Sequence, residues 1–335
     1  MTPLNIFIFL FSFWTCGLAT VIYLPEHKMS NKYEFIPISD PLDCGTRIHY
    51  DECTNSAFFV DVPNGNAYRY DLGSGNVTKT KVGNEPIAFM FPVVGSNNKF
   101  IAGLNNKFVS VEWDGVSPQV SKVETIKEIE TDPQLKGNRL NGGKVDPWGR
   151  LWAGTMGPAG ADGETIPQRG ALYSVEKGSV KKHLSNIGIS NGLAWNTKKM
   201  KMYYLDTLQP KVFQYDISKD GDLSNEKVIF EFGPHNIDGK PDGLTIDTDG
   251  NLWLTAIFGS TLVKINPDDG KLLEKIVMST PQPTSISFGG KNLDEMFVTT
   301  ARIPVDGKIP PNPAGTTYII KNTGSSGFKG DRYQS

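Results

Sequence analysis

One unit is written several times along this chain, and no other feature limits its fold as strongly. Apolar alternation, a polar turn and an aromatic-rich strand recur as TRIHYDECTNSAFFVD from Thr46, GGKVDPWGRLWAGTM from Gly142, NGLAWNTKKMKMYYLD from Asn191, DGLTIDTDGNLWLTAI from Asp242 and TSISFGGKNLDEMFVTT from Thr284. A more divergent copy, IAFMFPVVGSNNKFIAGL, begins at Ile87. Further candidate strands follow, such as NAYRYD, GALYSV, KVFQYD and TLVKIN, giving about four strands per unit. The second strands start near Ala57, Phe100, Leu151, Met202, Leu252 and Met296, a period of roughly 40 to 50 residues. The expectation is an all-β, six-bladed β-propeller with four-stranded blades, occupying residues 20–335 as a single domain. A two-sheet sandwich gives no reason for the same turn and aromatic strand to recur in register.

Composition agrees with short strands and tight turns, with 35 Gly, 22 Pro and 10% aromatic residues. Lys and Arg number 34 against 36 Asp and Glu, and no basic run interleaved with aromatics exists to track a phosphate backbone, so nucleic acid is excluded as a partner class. The stretch from Ile6 to Ala19 is nearly all apolar and ends Gly17-Leu18-Ala19. It reads as a signal peptide, residues 1–19, cleaved after Ala19, in preference to an uncleaved anchor over Leu4–Leu24. A secreted protein with no stable membrane association after cleavage is expected. Cys44 and Cys53 then remain for an oxidising compartment, where a disulfide is expected; two separate buried thiols are the alternative. Asn76-Val77-Thr78 is a glycosylation sequon on a Gly-Ser-Gly turn.

In a propeller the first strands of the blades line a central channel, so equivalent positions converge on its axis. Counting back five residues from the turn positions Asp51, Asp146, Asn196, Asp247 and Gly289 reaches Thr46, Asn141, Asn191, Asp242 and Thr284, all polar. Such oxygens suit calcium, magnesium or manganese; equally, Asn and Asp satisfy turn hydrogen bonds. His27, His49, His183 and His235 show no paired metal spacing, and no GxSxG elbow is present.

The segment Asn138 to Met156, then GALYSV, ISNGLAWN, PDGLTID with GNLW, and FGGKNLDEMFVTTAR, resembles in order and spacing the regucalcin, gluconolactonase and luciferin-regenerating enzyme family. The resemblance implies a six-bladed propeller with one divalent cation (calcium, zinc, manganese or magnesium) on its axis, hydrolysing a small sugar lactone or related ester. By position it implies Asn191 and Asp242 as metal ligands, Asp242 as the residue that orients or deprotonates water, and Arg139 and Asn141 as holders of substrate oxygens.

The departures from that pattern cluster. Thr46 stands where the family has a metal-binding Glu, Gly142 where it usually has Asp, and Ala159 near a position that can carry Glu. Thr46 offers a neutral hydroxyl as third ligand, Arg47 would add positive charge if it pointed inward, and metal affinity is expected to fall. Two readings follow: a lactone or ester hydrolase with a weakly held cation, which Thr46→Glu with Gly142→Asp would improve, or a non-catalytic secreted binding or effector protein on the same scaffold.

Overall fold

The computed structural model describes residues 32–161 and 163–335. The expected signal peptide and Cys16 lie outside these residues. Strand β1 (Glu34–Pro37) comes first, and its sheet is completed at the other end of the chain. Blade one is β2 (Gly45–Asp51), β3 (Ser56–Asp61), β4 (Asn66–Asp71) and β5 (Val77–Lys81); blade two is β6 (Ile87–Pro92), β7 (Lys99–Leu104), β8 (Lys107–Glu112) and β9 (Lys122–Glu128). Blade three is β10 (Arg139–Val145), β11 (Leu151–Met156), β12 (Gly170–Glu176) and β13 (Ser179–Ile187); blade four is β14 (Ser190–Asn196), β15 (Lys201–Asp206), β16 (Lys211–Ile217) and β17 (Leu223–Glu231). Blade five is β18 (Lys240–Ile246), β19 (Leu252–Ile257), β20 (Thr261–Asn266) and β21 (Lys271–Val277). Blade six takes β22 (Pro283–Gly289), β23 (Glu295–Thr300) and β24 (Tyr318–Lys321) and is finished by β1.

The expected six-bladed β-propeller is therefore the fold. Its apolar residues form six clusters, one at each junction between neighbouring blades, which is how a ring of sheets buries both faces of every sheet. At the junction of blades two and three, for example, Phe89, Phe91 and Phe108 pack against Leu140, Leu151 and Tyr173.

The repeated turn has a chemical reason. Asp146 accepts hydrogen bonds from the backbone N–H groups of Trp148 and Arg150 and from Trp152 Nε1 (2.9 Å), and Asp247 does the same with Asp249, Asn251 and Trp253 Nε1 (3.2 Å). One carboxylate thus closes the hairpin and ties it to the aromatic strand beside it. Gly149 and Gly250, at φ 86° and 87°, complete these turns where a side chain would be strained.

After β24 the tail crosses the turn side of the ring. Gly330 N donates to Tyr50 O, Tyr333 N donates to Pro92 O, and Arg332 makes a two-pronged ion pair with Asp51, both contacts at 2.7 Å.

Candidate functional site

Every first strand carries an irregularity near its start, where the register to the second strand slips. Between Leu140 and Gly143, Ser190 and Leu193, and Pro241 and Leu244, two residues oppose one, and the first of each pair is Asn141, Asn191 or Asp242. Bulges re-aim side chains, and these three bring their residues to the axis. In blade one the slip lies between Thr46 and His49, so the residue in register with Asn141, Asn191 and Asp242 is Arg47.

Thr46, the expected third ligand, stands one place before the slip and Arg47 within it. Thr46 is in register with Leu140, a core residue, with Ser190 and with Pro241. The count from the turn misses by one because Asp51 follows Arg47 by four places, whereas Asp146, Asn196 and Asp247 follow Asn141, Asn191 and Asp242 by five. Thr284 also stands at its strand's slip, but its hydroxyl is engaged with Gly45 O and with Thr299.

Arg47 points inward. Its Nη2 donates to Asn191 Oδ1 at 2.6 Å, its Nε donates to Asn141 O at 3.3 Å, and its Nη1 lies 3.6 Å from Asp242 Oδ1. The side chains of Arg47 and Asp242 are only 6% and 9% exposed. Arg47 sits in the left-handed backbone region at φ 55°, uncommon for a residue with a Cβ and a conformation that surrounding structure must hold. Asn191 Nδ2 donates to Thr207 Oγ1, which donates to Pro241 O, so the amide is locked with its oxygen toward Arg47. Burial pushes the Asp242 carboxyl up to about 6, against the opposing pull of Arg47 and Asn191.

The two oxygens that the resemblance assigns to a divalent ion are therefore engaged by a fixed monocation. A dication here would lie against a buried guanidinium and lack a second carboxylate, so the residues present do not fit the ion. Among the described residues no group of three or more His, Cys, Asp and Glu is arranged to hold a metal.

The remaining expected residues divide. Arg139 Nη1 donates to Leu140 O and Asn141 Oδ1, and Asn141 Nδ2 donates to Ser190 O, so both stand beside the axial group. Gly142 is glycine for want of room: a Cβ there would lie 2.5 Å from Asn191 O and 2.7 Å from Ser190 O. The Cys44–Cys53 disulfide is contradicted, as both are free and the seven-residue strand β2 runs between them. At about 3.3 Å per residue that strand holds them far beyond the ~7 Å Cα limit for a bridge. Burial and then Asp242 push the Cys44 thiol up to about 12, which makes it inert. Asn76 is exposed, in the turn before β5.

The profile of the SMP-30/Gluconolactonase/LRE-like region matches residues 44–302. The chain belongs to this family. Regucalcin of Bos taurus is 32% identical over 290 residues, covering 85% of this chain and 93% of its own. A luciferin-regenerating enzyme of known structure is 35% identical, with a TM-score of 0.85 over 90% of this chain and 100% of that one. A calcium-binding protein, regucalcin, from Agrobacterium tumefaciens str. C58 shares the fold at 23% identity and a TM-score of 0.77, over 89% of this chain and 97% of that one. Membership of a family that includes gluconolactonases agrees with a lactone-hydrolase reading. The guanidinium on this chain's axis comes from a residue whose inward direction no motif encodes.

Proposed function

We propose that this chain is a metal-independent hydrolase of a small lactone or ester, with the Arg47 guanidinium holding the charge that a cation would otherwise supply. The observation that carries this reading is the contact of Arg47 with both Asn191 and Asp242. Arg47 keeps Asp242 ionised and oriented, and Asp242 takes a proton from water as the water oxygen attacks the carbonyl carbon. Arg139 and Asn141 donate to the developing oxyanion and to substrate hydroxyls. The ring C–O bond breaks, the leaving oxygen takes the proton from Asp242, and a hydroxy acid departs. We further propose that the protein is secreted, from the apolar run Ile6–Ala19, and glycosylated at the exposed Asn76.

A second reading, binding of a small lactone or ester without turnover, is favoured by the engagement of Arg47's donors by its neighbours. Acid release from a panel of sugar lactones at pH 7.5, with EDTA or with added calcium, manganese or zinc, separates the two. Hydrolysis unchanged by EDTA and reduced about a hundredfold or more by Asp242→Asn is expected. A rate that depends on added metal refutes the metal-free mechanism, and binding of the panel with no acid release establishes the second reading.

A further inference from the structure

Below Arg47 the channel widens into a chamber of about 480 Å³ that reaches the turn side of the ring, a volume suited to a small organic molecule. All six blades contribute to its wall, much of which is apolar, including Ile48, Phe91, Leu193, Leu244 and Ile286. Set into this wall is Lys144, whose Nζ donates to Leu244 O at 3.1 Å, a backbone partner that carries no charge. The buried His49 and Trp195 also line the chamber, and among the described residues His49 Nε2 and Trp195 Nε1 have no hydrogen-bond partner.

Asp331 of the tail lines the same chamber, and its charge acts on Lys144 across a gap too wide for an ion pair. Burial pulls Lys144 down to about 8 and pushes Asp331 up to about 6, each opposed by the other's charge. Residues Phe328–Asp331 cross the chamber between two fastenings, the pairing of Gly327 with Asp247 and the Arg332–Asp51 ion pair. Gly330 lies flat on the His49 ring, where an added Cβ would come within 2.3 Å of the imidazole. Phe328, 55% exposed, stands at the rim.

We propose that this chamber binds a small organic anion with an apolar body, its carboxylate on Lys144 beside Asp331 of the tail and its body against the apolar wall. The ring supplies a cation in an apolar cavity, and a carboxylate with a hydrophobic body matches both surfaces. Asp331 acts as an internal competitor, and the tail segment shifts outward on binding. The site is separate from the Arg139 side of the axial group and does not depend on hydrolysis there.

Phenylacetate and its neutral analogue phenylacetamide are the probes, titrated by calorimetry and by tryptophan fluorescence, since Trp195 lies in the wall. Phenylacetate is expected to bind at least about tenfold more tightly than the amide. Lys144→Met removes that preference, whereas Asp331→Asn tightens phenylacetate binding several-fold without touching the ring. Equal binding of acid and amide, unchanged affinity in Lys144→Met, or no phenylacetate binding by either the native protein or Asp331→Asn at about 10 mM overturns the assignment. Because Asp331→Asn predicts a gain, misfolding of Lys144→Met would leave the proposal open to refutation.

Discussion

Replacing Arg47 by methionine removes the axial charge while keeping an unbranched apolar stem, and the consequence can be followed through Asp242. In the native protein burial raises that carboxyl from 3.8 to about 6, even with the guanidinium 3.6 Å away. Such a rise corresponds to about 3 kcal/mol, so Asp242 favours folding fully only in acid and that contribution is lost as pH climbs through about 6. Without Arg47 the folded carboxyl titrates higher still. Below about pH 5 both proteins hold Asp242 protonated, and they differ only by the packing of one side chain. Above pH 6 the native carboxylate is paired and the variant's is not, so the stability gap widens by about 1.4 kcal/mol per pH unit until the variant's own carboxyl ionises. Breaking a buried pair of this kind costs about 3 to 5 kcal/mol in all, and the gap at pH 8 is expected in that range. Urea unfolding followed by tryptophan fluorescence at pH 5 and pH 8 measures it. Millimolar calcium is expected to restore part of the pH 8 loss in the variant alone, because an ion can then approach Asn191 and Asp242. An equal gap at both pH values would refute the reasoning, since it would mean that Arg47 contributes packing and no charge.

Two other outcomes follow from the same geometry. Gly142→Asp is expected to destabilise the protein by about 1 to 3 kcal/mol in thermal unfolding without raising lactone hydrolysis, because its Cβ meets the backbone of Asn191 and Ser190. Thiol labelling under native conditions is expected to modify the exposed Cys53 quickly and Cys44 only on unfolding, with no mobility change on reduction.

The ring itself was legible because each blade repeats its own local chemistry. An Asp that accepts turn N–H groups and an indole N–H writes D-x-x-G-x-L-W into the chain twice, and the anticipated starts of the second strands lie within one residue of those found. Asn141, Asn191 and Asp242 were found the same way. Counting failed in blade one, where Asp51 stands one place nearer the slip and its carboxylate takes Arg332 in place of a tryptophan. A one-residue offset turns a strand's side chains over, so the count points to Thr46 where the slip holds Arg47. The expected disulfide rested on separation in sequence, which is blind to an intervening extended strand. Lys144 and Asp331 carry no mark in the sequence, and His49 only the want of metal spacing, because the chamber is completed by the tail, which belongs to no repeat, and local pattern carries no record of a partner so far along the chain.

The pairing of β1 with β24, Glu34 opposite Lys321, makes blade six a clasp fastened by the first and last strands of the propeller. During synthesis the earliest strand of the circle must wait for the latest, so ring closure is deferred until β24 has emerged, and such distant pairing folds slowly. A single cut in the link between Pro37 and Gly45 would leave β1 paired with β24 but no longer tied to blade one, turning a fastened band into one that can spring open.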